Sequence, residues 1–144
     1  MLIGEYTHMI DDKSRVSLPS KFRKEVGKTV VITHGLDNCL FVYPMKGWLK
    51  LTEALAKLPL VRERARRFNR FMLGGAVEVD VDSIGRVLIP DFLKDFAGLK
   101  ESVIVAGVND RLEIWDESRW IEYKKQSEKE ADSLAEALGD IGAF

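Results

Sequence analysis

Two short segments of this chain place an acidic and a basic side chain four positions apart, where they could act together on a ligand. Arg15 follows Asp11 in the first segment, and Arg86 follows Asp82 in the second. A carboxylate can accept hydrogen bonds from the backbone of a tight turn or from a guanidinium group. The guanidinium is a planar fork of donors that matches the O6 and N7 atoms of guanine, or a phosphate group. The spacing therefore predicts two turns that each present one arginine to nucleic acid.

The two segments belong to a longer internal repeat. The sequence Asp-Asp-Lys-Ser-Arg-Val-Ser-Leu-Pro at 11–19 returns about 71 residues later as Asp-Ser-Ile-Gly-Arg-Val-Leu-Ile-Pro at 82–90. Further matches extend over most of the chain, which indicates a tandem duplication. We expect a first repeat over 1–71 and a second over 72–144. The two are expected to fold as one unit, because a repeat of this length buries little of its own surface.

Basic residues surround the first motif more densely than the second. Lys13 lies within the first turn, and Lys21 and Arg23 follow it closely. Lysines at the matching end of the second motif are diluted by acidic neighbours. This asymmetry predicts that the two motifs contribute unequally to nucleic-acid binding, with Arg15 contributing at least as much as Arg86.

The motif also has a purely structural interpretation. An Asp and an Arg four residues apart often form a surface ion pair that contributes little to stability. Retention of the pair in both copies favours a functional role, although a shared folding requirement would also explain it. Both interpretations stay open at this point.

A second basic segment at 62–70 contains five arginines and one glutamate. One interpretation is a helix that contacts DNA. The other is a helix whose arginine stems cover apolar surface or pair with a neighbouring subunit's acidic C-terminal segment, and we favour this one.

Composition limits the classes of protein and of partner. The chain has 144 residues, with 22 lysines and arginines against 23 acidic residues, for a net charge of −1. Proteins that hold nucleic acid by bulk charge are basic overall, so binding here must come from a local patch. The longest apolar runs are shorter than the roughly 20 residues of a membrane-spanning helix, and the N-terminus lacks the pattern of a secretory signal. We expect a soluble cytoplasmic protein, with no membrane partner.

Residues that commonly bind metals or perform catalysis are sparse. The spacing of His8, His34 and Cys39 matches no pair of metal ligands. Neither a glycine-rich phosphate loop nor a nucleophile with its base is visible. We therefore expect no metal, no cofactor, no small-molecule substrate and no enzyme activity.

The elements that position the motifs follow from the apolar pattern. Strands at 5–10 and 76–81 lead into the two turns, and the β-like segment after each turn predicts a hairpin. A proline and a glycine enclose one short helix in each repeat, at 19–27 and 90–98. The remaining predicted elements are a hairpin of 30–32 with 40–42, helices at 44–59 and 60–71, a hairpin of 103–105 with 112–114, a helix capped by Asp116, and a further amphipathic turn or two around Leu134 and Leu138. Trp48 and Trp120 occupy matching positions and are expected to pack as structural anchors.

The duplicated Asp-to-Pro motif, each copy followed by a short helix in a chain of this length, resembles the MraZ family of bacterial relatives of AbrB-type transcription factors. The resemblance implies an α+β fold with a mainly β core. In it, two tandem hairpin and helix units form an intramolecular swapped-hairpin, AbrB-like β-barrel flanked by helices. It also implies a sequence-specific DNA-binding regulator of a cell-division and cell-wall gene cluster, associated with the nucleoid. Such a regulator binds tandem promoter repeats in double-stranded DNA as a ring-shaped homo-oligomer.

The same resemblance assigns roles to individual residues. It makes Arg15 and Arg86 the DNA-reading side chains, with Asp11 and Asp82 as their supports and with Lys13, Lys21 and Arg23 nearby. Ser14 stands where the family usually has glycine. This predicts mild strain or a different type of turn, since serine is less favourable than glycine at positive φ.

Two other functions compete with DNA reading. One is an antitoxin-like module that binds another protein through its C-terminal segment, and the other is a ring-forming scaffold. Only DNA reading requires Arg15 and Arg86 on exposed turns.

Overall fold

The computed structural model describes residues 1–143, which form eight strands and five helices. The strands are β1 (Leu2–Met9), β2 (Arg15–Ser17), β3 (Thr29–His34), β4 (Leu40–Pro44), β5 (Val77–Asp80), β6 (Arg86–Leu88), β7 (Ser102–Asn109) and β8 (Leu112–Asp116). The helices are α1 (Ser20–Val26), α2 (Met45–Ala56), α3 (Glu63–Gly74), α4 (Asp91–Ala97) and α5 (Glu117–Asp140). The predicted α+β fold with a mainly β core is confirmed.

Six strands form one antiparallel sheet in the order β1-β7-β8-β4-β3-β5. The two repeats exchange strands within it, because β1 pairs with β7 of the second repeat and β5 pairs with β3 of the first. This exchange is the swapped arrangement that the family resemblance implies. The sheet itself is open rather than closed into a barrel, since its edge strands β1 and β5 do not pair with each other.

Strands β2 and β6 form a separate two-stranded ribbon, which corrects the two predicted hairpins. After the first turn, β2 makes one isolated bridge back to its own repeat, between Val16 and Ile10, the residue that follows β1. It pairs along its length with β6, where Val16 lies opposite Val87 and both valines are buried. A three-residue strand such as β2 could satisfy its hydrogen bonds with β1 of its own repeat or with β6 of the other. Burial of Val16 against Val87 favours the pairing with β6.

The sheet separates two apolar clusters, because successive residues of a strand face opposite sides. Leu40 and Val42 of β4 join the cluster that includes the ribbon, α1 and α4. Phe41 and Tyr43 join the cluster packed beneath α2, α3 and α5. The first cluster therefore packs the ribbon, α1 and α4, which contain or follow the two motifs, against the sheet.

The two short helices begin and end as predicted. Pro19 and Pro90 immediately precede α1 and α4, and Gly27 and Gly98 follow them with positive φ. A proline suits the start of a helix, and glycine adopts positive φ with little cost.

The C-terminal helix differs from its prediction. Helix α5 runs for 24 residues without a break, where we expected a helix and then a further turn or two. Asp116 precedes it, but its side chain makes no capping hydrogen bond. None of the helices in residues 1–143 is long and apolar enough to cross a membrane.

The two matching tryptophans pack as predicted. Both contact the second cluster, with ring centroids 5.8 Å apart for Tyr43 and Trp48 and 5.4 Å apart for Trp115 and Trp120. They connect α2 and α5 to the sheet.

Candidate nucleic-acid interface

The first turn is organised around the carboxylate of Asp11. Its Oδ1 accepts hydrogen bonds from the backbone N–H groups of Lys13 and Arg15, both at 2.9 Å. Its Oδ2 accepts the Nε–H of Arg15 at 2.7 Å. The backbone closes the turn, since the Asp11 N–H donates to the Arg15 carbonyl at 3.0 Å. One side chain thus holds both the turn and the arginine that the turn presents.

The second turn repeats this geometry almost atom for atom. Asp82 Oδ1 accepts from the backbone N–H groups of Ile84 at 3.1 Å and Arg86 at 2.8 Å. Asp82 Oδ2 accepts the Arg86 Nε–H at 2.7 Å, the distance found in the first turn. The arginine side chains are 30% and 27% exposed in the first and second turns. Within residues 1–143, their side-chain hydrogen bonds use Nε, which leaves the terminal nitrogens able to donate to a ligand.

The ribbon places the two arginines side by side. Arg15 lies opposite Leu88, and Arg86 lies opposite Ser17. Arg86 is thus the diagonal neighbour of Arg15 on the same face, with the Cα atoms roughly 7–8 Å apart. The opposite face carries the buried pair of Val16 and Val87. Two turns far apart in sequence therefore present their arginines on one outward surface.

Each turn is also braced by the other repeat, which changes the predicted charge distribution. Arg23 lies against the second turn, since a Cβ added to Gly85 would overlap its guanidinium. Its Nε also donates to the carbonyl of Leu18 in its own repeat at 3.0 Å. Lys94, at the matching position of the second repeat, places its Nζ 3.5 Å from Ser14 Oγ in the first turn. The first turn gains a cation from the second repeat and the second turn gains one from the first.

This crossing removes part of the basis for the predicted ranking of the two arginines. That ranking counted Arg23 with the first turn, because it is close to Arg15 in sequence. In the structure it supports the turn of Arg86, so we now expect similar contributions from Arg15 and Arg86.

The remaining predicted residues lie around this surface. Lys13 is exposed within the first turn, and Lys21 is exposed on the first turn of α1. Sequence reasoning counted Lys94 with the second motif rather than with the first turn. It did not single out Ser17 and Leu88, which lie on the arginine face of the ribbon. The matching positions of Arg23 and Lys94 in the two repeats were the available signal for Lys94.

The turns differ in the residue that adopts positive φ. Ser14 has φ of 59° and Gly85 has φ of 84°, so serine takes the left-handed conformation that glycine takes in the second copy. The mild strain expected at Ser14 therefore has a backbone basis, and the turn type is preserved. Reciprocal backbone hydrogen bonds of 2.8 Å, from Leu18 to Gly85 and from Ile89 to Ser14, hold both positions in place.

Substitutions of these two turn residues should change the stability of the protein in opposite directions. Ser14→Gly is expected to raise the free energy of unfolding by up to about 1 kcal/mol, since it removes the cost of the left-handed conformation but adds chain entropy to the unfolded state. Gly85→Ala should lower it by about 1–2 kcal/mol, because the new Cβ is strained at positive φ and displaces Arg23. Urea denaturation of both variants measures the two changes. A loss of stability in Ser14→Gly would contradict this account.

Hydrogen bonding holds the pKa of both turn carboxylates below the ordinary value. The main cause is the backbone N–H of Arg15 for Asp11 and of Arg86 for Asp82, with further contributions from the arginine side chains and a second backbone N–H. Burial opposes this by raising each pKa. The ionised carboxylate is therefore the form that the folded turn stabilises.

The stabilising effect of these carboxylates should depend on pH. Because each pKa is lower in the folded than in the unfolded protein, the effect is complete above the unfolded pKa and is lost as pH falls through the folded pKa. We expect the stability difference between the wild type and an Asp11→Asn, Asp82→Asn variant to shrink as the pH falls below the unfolded pKa and through the lowered folded pKa. Urea denaturation across this range measures it. A difference that is constant with pH would show that the charge of these groups does not matter.

The arginine-rich segment lies away from the ribbon, on α3 and the residue before it. Arg64, Arg67 and Arg70 are exposed, and Arg67 pairs with Glu63 at 3.1 Å. The side of α3 that carries Met72 and Phe68 packs on the second cluster. The helix is thus on the opposite side of the sheet from the cluster that contains the ribbon.

Comparison with known proteins agrees with the duplicated motif. The model of the family described as "MraZ protein, putative antitoxin-like" matches this chain twice, at residues 1–71 and 72–140. The chain belongs to the MraZ family. It is 49% identical to the transcriptional regulator MraZ of Moorella thermoacetica, over 98% of this chain and 99% of the relative. It is 47% identical to the transcriptional regulator MraZ of Caldicellulosiruptor bescii, over 99% of each chain. These MraZ relatives are named as regulators of transcription rather than as enzymes.

Proposed function

We propose that this protein is a transcriptional regulator that binds double-stranded DNA through the outward face of the β2–β6 ribbon and its two turns. The observation that carries the proposal is the placement of Arg15 and Arg86 on one face, each fixed by a carboxylate at 2.7 Å. The names of its MraZ relatives support the same function.

The geometry suits recognition of a groove in DNA. The major groove admits a two-stranded β-ribbon, and a terminal pair of guanidinium nitrogens can donate to guanine O6 and N7. Asp11 and Asp82 restrict the rotamers of the two arginines, so less conformational entropy is lost when DNA binds. Lys13, Lys21, Arg23 and Lys94 would then contact phosphates, which position the protein without reading sequence.

The finer proposal follows the family resemblance. The DNA is the promoter of a bacterial cell-division and cell-wall gene cluster, the site consists of tandem repeats, and the protein binds them in the cytoplasm, on the nucleoid, as a ring of identical subunits. A small patch on a chain of net charge −1 binds one site weakly. Several patches held at fixed spacing raise the effective concentration of each later contact.

We also propose that the repeats at 1–71 and 72–144, the latter described to residue 143, fold only together. Each contributes an edge strand that is paired by the other, and the ribbon contains one strand from each. The β3–β4 and β7–β8 pairs lie within one repeat, but the β1–β7, β3–β5, β4–β8 and β2–β6 pairs need both.

Tandem recognition predicts a large effect of the number of repeats in the DNA. Wild-type protein should bind a fragment with two or more promoter repeats about 100-fold more tightly than a fragment with one. Fluorescence anisotropy with DNA from upstream of the protein's own gene measures the ratio. A fragment of equal length with one intact and one scrambled repeat is the matched control. Equal affinity for all three fragments would contradict binding by several linked subunits.

A further inference from the structure

A small apolar groove lies beside the arginine-rich helix. It has a volume of about 330 Å³ and is lined by Leu36, from the loop after β3, and by Phe68 and Phe71 of α3. The side chains of Arg64 and Arg67 line it as well. Leu36 is 50% exposed. The groove thus presents an apolar floor with a basic edge, which suits an apolar segment that carries negative charge.

The far half of α5 has the complementary character. From residue 128 onward its side chains are exposed, and α5 as a whole has no buried residue. Leu134 and Leu138 are four positions apart, 48% and 44% exposed, and Ile141 continues their stripe. Residues 127–143 contain five acidic side chains and one lysine, whereas 62–70 contain five arginines and one glutamate. Helix and groove therefore match in both apolar surface and charge.

The stripe does not reach the groove of its own chain. Helix α5 passes the loop after β3 at Tyr123, whose hydroxyl lies 3.3 Å from Asp37 Oδ2. Leu134 is eleven residues farther along the helix, about 16 Å at 1.5 Å per residue. The groove is lined by the loop after β3 and α3 instead. A second copy of the chain can therefore supply the stripe.

We propose that the far half of α5 of one copy docks in the groove of a neighbouring copy, with Leu134 and Leu138 against Leu36, Phe68 and Phe71. The contact joins two different surfaces, and such head-to-tail contacts produce closed rings when their rotation closes. The proposal rests on the self-assembly part of the proposed function and names the surface responsible.

The test measures assembly directly, without DNA. Leu134→Asp with Leu138→Asp should weaken association about 100-fold or more, because two apolar contacts are lost and two carboxylates would lose water against the apolar floor of the groove. Native mass spectrometry and light scattering of the full chain measure the assembled mass, and circular dichroism checks that the helix remains. The matched control is Asp132→Glu with Glu136→Asp, which alters the opposite side of the same helix, keeps its charge and should leave the assembled mass unchanged.

A mixing experiment tests the head-to-tail geometry. Leu36→Glu with Arg67→Glu disrupts the groove but keeps the stripe, so this variant alone should be monomeric. Mixed with the α5 variant, it should form dimers and nothing larger, since one intact stripe meets one intact groove. Wild-type mass in the α5 variant, or no dimers in the mixture, would overturn the proposed surface while leaving ring assembly intact. A monomeric wild type would overturn self-assembly itself. DNA binding by Arg15 and Arg86 is tested separately, by the affinity of their alanine variants for DNA.

Discussion

Replacing Arg15 and Arg86 together by alanine is expected to reduce affinity for the promoter about 100-fold or more and to abolish discrimination against unrelated DNA. Each arginine that reads guanine with two hydrogen bonds contributes about 1–3 kcal/mol at one base. Both are held by a carboxylate at 2.7 Å, so their fork geometry is formed before DNA binds. Fluorescence anisotropy with promoter and scrambled duplexes at fixed salt measures affinity and specificity.

The single variants and the salt dependence show what each arginine does. Arg15→Ala and Arg86→Ala should lose similar amounts of affinity, because each turn is flanked by a cation from the other repeat. Loss of a phosphate contact would weaken binding to all sequences and flatten the salt dependence. Arg70→Ala, on the exposed side of α3, is the control and should bind normally. Folded single and double variants that bind like the wild type would show that these arginines do not contact DNA.

Replacing Phe22 by alanine should produce the largest loss of stability, about 3–5 kcal/mol. Phe22 is fully buried, and its ring meets that of Tyr6 edge to face at a centroid distance of 5.4 Å. It anchors α1, and α1 carries Arg23 against the second turn. A change of this size is a large fraction of the 5–15 kcal/mol that stabilises a typical domain. Urea denaturation measures the difference.

A phenylalanine at a nearby position in the second repeat provides the control. Phe92 lies on α4 and is 49% exposed, so Phe92→Ala should cost less than about 1.5 kcal/mol. Equal losses in the two variants would mean that α1 is not anchored by the buried cluster.

Much of the local geometry could be predicted from residue types and spacing. Proline and glycine mark both ends of α1 and α4, because one favours helix starts and the other tolerates positive φ. The Asp-to-Arg spacing predicts the carboxylate support of each turn, since four residues are enough for one side chain to reach the backbone and the guanidinium. These features depend on contacts close in sequence.

The partners of β2 and the position of Arg23 could not be predicted in the same way. Strand β2 has three residues, and its alternation fits a hairpin with β1 as well as the observed pairing with β6. Pairing is decided by burial of Val16 against Val87, a contact between residues about 71 positions apart. Arg23 therefore braces the turn of the other repeat, although in sequence it belongs to the first. Duplication within a chain allows strands of the two repeats to exchange partners, but apolar packing determines which strands pair.

Arginine-specific labelling tests most directly whether the two turns contact DNA together. Phenylglyoxal would be added to the wild-type protein with and without a promoter duplex, and the modified arginines would be identified by peptide mass spectrometry. We predict that DNA protects Arg15 and Arg86 to the same extent and over the same range of DNA concentration, while Arg70 on α3 stays as reactive as in the free protein. Protection of α3 without any change at Arg15 and Arg86 would contradict the proposed interface.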